Sequence, residues 1–339
     1  MRTLAPLAAA ALLAVAATPA RAQSGYAYTS CASVGEAELV QVVGAPCAEA
    51  EALAALVVAA PVDAEAGVLT TAGWRPLRAQ STAGGGRHDL VAVRDGAAVR
   101  IRRPGAAPDL DGWEAGRQLI FARRRLVGGR PVPRGAVLCT SSWLVRLAGG
   151  ALGGLSAAHC GGLRSDRTVQ RHNVGLRRPP QPGIILGRVQ RILTRTRPLD
   201  ALVVPVPTVV NRTALAVVDR GVSRPPWRVV GLAQPTAGRA ICFSGSTSGI
   251  DQCGSIDNSG ARGAERILSI FAGVVVRCTT IRGRPGDSGG PVYTAPGADG
   301  TVRAIGITTL VVGDSARMCF TPLGPVLDGL SAQLVTGGG

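Results

Sequence analysis

The stretch Gly286-Asp287-Ser288-Gly289-Gly290-Pro291 sets the terms for the rest of the chain. Glycine on both sides of a serine marks a tight bend, because only glycine enters positive φ without strain. Such a bend lifts the hydroxyl clear of the backbone and leaves neighbouring N–H groups free. A serine hydroxyl is a weak nucleophile until a base takes its proton, and the base must itself be oriented. The chain has three histidines, at 88, 159 and 172, and all precede Ser288. A strand–turn–helix serine elbow needs its histidine after the serine and is thereby excluded. The order that remains is His, Asp, Ser.

His159 lies in Leu155-Ser156-Ala157-Ala158-His159-Cys160, where small residues allow close backbone packing. Asp200 heads the apolar run Ala201-Leu202-Val203-Val204, which reads as a buried strand. A carboxylate at the edge of a core can accept a bond from an imidazole while shielded from water. Asp109 and Asp111 also precede His159, but they lie in a Pro/Gly-rich loop with no apolar strand beside them and are set aside. His88 and His172 read as ordinary surface histidines.

Ala157-Ala158-His159-Cys160, Asp200-Ala201-Leu202-Val203 and the Gly286–Pro291 block resemble the three triad blocks of the chymotrypsin-like serine proteases. Cys242-Phe243-Ser244-Gly245-Ser246-Thr247-Ser248-Gly249 is similar to a segment of the secreted actinobacterial branch, the streptogrisin and α-lytic protease group. The resemblance covers about residues 126 to 336. It implies an all-β fold of two antiparallel six-stranded barrels, about 126–220 and 227–336, with a C-terminal helix over Pro322 to Leu334. It implies a catalytic triad of His159, Asp200 and Ser288 and an oxyanion hole from the N–H groups of Gly286 and Ser288, with Asp287 in a structural role. Gly306-Ile307-Thr308-Thr309-Leu310-Val311 would bind substrate backbone and line one pocket wall, with Val311 narrowing the entrance. Arg282 stands where trypsin-like members carry an aspartate, which disfavours Lys/Arg substrates and suggests small or medium apolar side chains, or acidic ones drawn by Arg282 or Arg284. The implied disulfides are Cys139–Cys160, Cys242–Cys253 and Cys278–Cys319, leaving Cys31–Cys47. For residues 23–125 the resemblance implies a propeptide that assists folding and blocks the site, whereas the residues themselves show only a small α+β region. Arg123-Arg124-Arg125 ahead of Leu126-Val127-Gly128-Gly129 looks like an activation cleavage site. After cleavage, Asp287 would pair with the freed amine or with an arginine; the resemblance leaves both readings open.

Residues 1–22 combine Arg2, an apolar run from Leu4 to Ala17 and Ala20-Arg21-Ala22, the pattern of a cleaved secretory signal. Eight cysteines without a C-x-x-C pair favour disulfides over a zinc site in an exported chain. All 37 basic residues are arginine, which excludes a Walker A loop, a lysine Schiff base and a Ser-Lys dyad. The net charge of +16 includes an arginine cluster between 164 and 197, read as a solvated basic face; aromatics for stacking on bases are scarce. No nucleic-acid or membrane partner, metal or organic cofactor is expected, and a monomer is the default.

Ahead of the triad blocks, Glu38 to Val43 reads as a strand and Ala48 to Val58 as a helix. Leu90–Val93 and Ala98–Ile101 read as the arms of a hairpin turned by Asp95-Gly96. From Leu126 on, short apolar runs recur about every ten residues between Gly and Pro, as all-β architectures require. The expected activity is secreted peptide-bond hydrolysis through an acyl-enzyme. The alternatives are a protease-like binding module and an esterase using the same three residues. Asn211-Arg212-Thr213 is a formal glycosylation sequon.

Overall fold

The structure is a computed structural model. It describes residues 26–82, 86–105, 113–127, 130–161, 168–171, 184–189, 191–192, 199–206, 214–257, 275–312 and 316–337. The expected signal, Asp109, Asp111, His172, the sequon at 211 and most of the arginine cluster lie outside these residues.

Residues 26–105 form an antiparallel sheet in the spatial order Thr29–Ser30, Leu39–Val43, Ala97–Pro104, Arg87–Arg94, Arg75–Ser81. Its two central strands meet at Asp95 and Gly96, both at positive φ (32° and 94°), the backbone a two-residue hairpin loop demands. Helix α1 (Cys47–Ala59) buries Ala50, Leu53, Ala54 and Val57, one stripe at helical spacing. It ends at Ala60, which Pro61 holds extended. With α2 (Glu65–Thr71) it covers one sheet face around Val40, Val42, Leu69, Trp74 and Ile101. The other face puts Leu77, Val91, Val93 and Ala98 against Leu215 and Val217 of the following unit. Tyr26 stacks on Trp227 across the same junction, with ring centroids 5.7 Å apart.

His88 is not a surface residue. It is fully buried, with Nε2 3.0 Å from Glu65 Oε2 and Nδ1 3.2 Å from the Gly105 carbonyl, while Arg103 closes on the same carboxylate at 3.0 Å. Paired polar groups can stay in a core that would exclude any one alone, and Arg103 also donates to the Val57 and Ala60 carbonyls.

From Trp113 onward the chain is almost wholly strands. They fall into a five-stranded sheet (through Leu144–Arg146, Leu152–Ser156 and Leu202–Pro205), a four-stranded sheet (through Gln118–Val127 and Arg130–Thr140) and a nine-stranded sheet (through Ala240–Gly245, Pro291–Thr294 and Thr301–Val312). Among the described residues no sheet closes into a barrel. Arg123-Arg124-Arg125 lies inside the strand Gln118–Val127, which pairs along its length with Arg130–Thr140. The unit also begins before Leu126. Trp113–Ala115 pairs in parallel with Ala214–Val218, and the Trp113 indole donates to the Ser142 carbonyl at 3.0 Å. The C-terminal helix α4 (the described Leu323–Leu330, after the short α3 at Ala158–Gly161) is shorter than expected. Ser331 turns left-handed at φ 50°, and Gln333–Leu334 then joins Leu144–Arg146 as a strand. The disulfides are Cys31–Cys47, Cys139–Cys160, Cys242–Cys253 and Cys278–Cys319. No helix among the described residues is long and apolar enough to cross a membrane.

Candidate active site

Strand Leu152–Ser156 runs into the single turn α3, which carries His159, and pairs with Leu202–Pro205, the strand that Asp200 precedes. This pairing sets Asp200 beneath the turn. Its Oδ1 accepts the His159 backbone N–H at 3.0 Å, and its Oδ2 lies 2.7 Å from His159 Nδ1. One carboxylate therefore fixes both the backbone and the ring of the same histidine. Asp200 is buried, whereas the imidazole keeps 30% of its side-chain surface exposed. Burial pushes the imidazole pKa down, but the charge and hydrogen bond of Asp200 push it up further, so it lies above its ordinary 6.5.

The Cys139–Cys160 bridge lies against the serine bend. Cys160 Sγ lies 3.9 Å from His159 Nε2 and 3.8 Å from the Ser288 carbonyl oxygen, so imidazole and serine flank a single sulfur atom. Thr140 N–H donates to that same carbonyl at 2.7 Å. The Ser288 hydroxyl makes no hydrogen bond to His159 among the described residues; in unliganded sites this contact is commonly long and tightens with substrate.

The bend itself is locked by close packing. Gly289 has φ 90°, and a Cβ there would land on Ser156 Oγ and the Thr140 carbonyl. Gly290 N–H returns to the Asp287 carbonyl at 2.9 Å. Gly289 N–H donates to Thr308 O at 2.7 Å, and Thr308 N–H to Gly290 O at 2.8 Å. The N–H groups of Gly286 and Ser288 have no acceptor among the described residues.

Asp287 is the fully buried carboxylate beside the serine. Neither a chain terminus nor an arginine side chain pairs with it among the described residues. Oδ1 accepts the N–H groups of Thr247 (3.0 Å) and Ser248 (2.8 Å); Oδ2 accepts Arg284 N–H at 2.7 Å and the Ser248 hydroxyl. A fully buried carboxylate is thus held by neutral donors, which supply the solvation that burial removes. Sequence reading passed over these donors. The only signal was a run of hydroxyl residues, Ser246-Thr247-Ser248, between two glycines at a hairpin tip.

The predicted substrate strand is present as part of Thr301–Val312, but its residues divide. Thr308 spends both backbone groups on the serine bend and has none left for a substrate. Thr309 is buried, with its hydroxyl 2.7 Å from Thr321 Oγ1 and 3.2 Å from the Ile307 carbonyl, so its side chain faces the neighbouring strand and not the cleft. Leu310 and Val311 are partly exposed. Beyond Thr308 the strand pairs only with Arg317–Pro322, leaving its other edge without a strand partner among the described residues. Val311 reaches across to Gly283, where a Cβ would stand 2.9 Å from Val311 Cγ2. Arg282 and Arg284 are exposed. Cys139, His159 and Cys160 cluster closely enough for a metal, but both sulfurs are committed to a disulfide.

No protein-family model matches the chain, and no curated protein matches it. Solved structures do. Thermobifida fusca protease A is 25% identical with a TM-score of 0.46, and the match covers 66% of this chain and 98% of that one. The Nocardiopsis protease NAPase is 21% identical at a TM-score of 0.44, with the same coverage. Cellulomonas bogoriensis chymotrypsin is 25% identical at a TM-score of 0.43, again over 66% and 98%. The chain is similar in these comparisons to chymotrypsin-like serine proteases of actinobacterial origin.

Proposed function

We propose that the chain is a secreted serine endopeptidase that works through an acyl-enzyme. The observation that carries this reading is Asp200 clamping His159 by ring and backbone beside a glycine-flanked serine whose neighbouring N–H groups are unclaimed. Ser288 Oγ attacks the peptide carbonyl while His159 Nε2 takes its proton. The carbonyl oxygen, now charged, is received by Gly286 and Ser288 N–H. His159 then gives the proton to the departing amine. Water, deprotonated by His159, attacks the ester carbonyl; the tetrahedral intermediate collapses, and the proton returns to Ser288. Asp200 holds the tautomer in which Nδ1 carries the hydrogen and Nε2 is free to accept. Asp287 keeps the bend in shape.

The open strand edge beyond Thr308 suits an extended peptide added as a further strand. Val311 packed towards Gly283 shortens the neighbouring space, which favours small or medium apolar side chains at the cleaved bond. In this proposal two barrels, one bearing His159 and Asp200 and the other Ser288, would hold the cleft between them. The four disulfides suit an extracellular site of action. The chain would be exported with residues 26–105 ahead of the catalytic unit, and the hairpin around Arg123–Arg125 argues for any processing point lying before Trp113.

An organophosphonate that esterifies activated serines tests the proposal. The expected result is covalent labelling of the wild type, none of Ser288→Ala, and hydrolysis of chromogenic peptides. Labelling that persists in Ser288→Ala would refute it. Ester turnover without peptide turnover would favour the esterase reading.

A further inference from the structure

Thr247 lies outside the triad, at the exposed tip between strands Ala240–Gly245 and Gly249–Ser255. Its hydroxyl donates to the Pro285 carbonyl at 2.9 Å, and its N–H donates to Asp287 Oδ1 at 3.0 Å. The described peptide bonds are trans, so the Pro285 C=O and the Gly286 N–H point in opposite directions across one plane. A hydroxyl that draws the carbonyl to one side thereby presents the N–H on the other. The far side of Gly286 is clamped in the same way: its own carbonyl accepts Thr140 Oγ1 at 2.8 Å and Ser246 Oγ at 2.9 Å. Ser246 N–H in turn donates to Thr140 Oγ1 at 3.0 Å. Gly286 sits at φ 102°, and glycine offers little torsional resistance of its own to rotation of the peptide before it. The direction of its N–H must therefore be imposed from outside.

We propose that Thr247 is a positioning residue for transition-state stabilisation: its hydroxyl holds the Pro285–Gly286 peptide so that Gly286 N–H meets the developing oxyanion. The inference rests on the serine protease reading. Without the hydroxyl the peptide samples the turned state, in which a carbonyl oxygen replaces the donor. Substrate binding precedes the oxyanion and does not need that donor.

The test compares Thr247→Ala, Thr247→Val and Thr247→Ser in the full chain, with a chromogenic peptide and with a peptide boronate, whose tetrahedral adduct mimics the oxyanion. One lost donor of this kind costs about 10²–10³ in kcat. A hydroxyl that only biases the orientation should cost about 10–100-fold in kcat in the Ala and Val variants, with KM within about two-fold and boronate affinity falling in parallel. Thr247→Ser restores kcat to within about three-fold, since it keeps the donor. An Ala variant with wild-type kcat would overturn the proposal, as would a loss that Thr247→Ser does not repair. Wild type labelled at Ser288 together with an indifferent Thr247→Ala sinks this inference alone; wild type without Ser288-dependent labelling sinks the protease reading as well.

Discussion

Asp200→Asn is the substitution whose consequence the geometry dictates most directly. The carboxylate accepts two hydrogen bonds from one residue, one on each oxygen. An amide of the same shape has one acceptor oxygen and one NH2 group. If the oxygen faces the His159 backbone N–H, the NH2 faces Nδ1, and the ring must move its hydrogen to Nε2. The base then points a hydrogen at Ser288 where it needs a lone pair. If the amide turns the other way, the His159 backbone N–H loses its acceptor, which costs about 1–3 kcal/mol in a buried setting. The catalytic loss should be about 10⁴-fold in kcat, equal to about 5.4 kcal/mol of barrier. The pH dependence should change in a definite direction. In the wild type, activity requires neutral His159 and falls as pH drops through a value above 6.5. With the Asp200 charge gone, burial alone acts on the imidazole, and that limb moves to lower pH. The stability counterpart has the opposite sense: the Asp200–imidazolium attraction is fully present below the unfolded-state value of 6.5 and fades as pH rises through the higher folded value. The assay is kcat/KM for a chromogenic peptide from pH 5 to 9, with phosphonate labelling rates in parallel. An Asn variant that labels at the wild-type rate near neutral pH, or whose acid limb stays in place, would refute the pairing and its assigned role.

Gly286→Ala should abolish turnover by at least about 10²-fold while the chain still folds, because φ is 102° and the new Cβ would land on Thr247 Oγ1; kcat by active-site titration checks this. Gly154→Ala places its Cβ in the Trp113 indole, and overpacking there should lower stability by about 1–3 kcal/mol in urea melts, provided Trp113 belongs to the catalytic core. Tyr26→Ala removes the ring stacked on Trp227; it should lower the melting temperature while leaving kcat within about two-fold. Opening Cys278–Cys319 by paired Ser substitution should cost about 2–4 kcal/mol, read as a drop in denaturant midpoint.

What was legible in the sequence was what local chemistry spells out. A serine among glycines, a histidine after small residues and an aspartate at the head of a strand each carry their role in neighbouring residues. The geometry that joins His159 to Asp200 follows from two adjacent strands, and strand runs are visible as apolar periods. The reading failed where meaning depends on distant partners. His88 looks like any polar residue in an alternating strand until Glu65 and Arg103 arrive from elsewhere in the fold. The strand pairing of Arg123-Arg124-Arg125 with Val132–Gly135 is likewise invisible in the triplet itself. The bond of the Thr309 hydroxyl with Thr321, next to a register shift between Thr308 and Leu310, also depends on a partner twelve residues away. Hydroxyl donors such as Thr140, Ser246 and Thr247 have no sequence signature beyond being short and polar, so a clamp built from them becomes visible only in three dimensions.

The same contrast bears on what the N-terminal unit does. Its described contacts with the following unit gather around Tyr26, Leu215 and Val217. Tyr26 packs on Gly300 and Trp227, at the start of strand Thr301–Val312, whereas the serine bend is bonded to Thr308 of that strand. About eight residues at about 3.3 Å each put roughly 26 Å between the two. Among the described residues, none of the hydrogen bonds of residues 26–105 reaches His159, Asp200 or Ser288, while Tyr26 shares a buried cluster with Leu199 and Ala201, the neighbours of Asp200. In the intact chain Asp287 is satisfied by Thr247, Ser248 and Arg284. A unit placed so covers the apolar strand Ala214–Val218 through Leu215 and Val217.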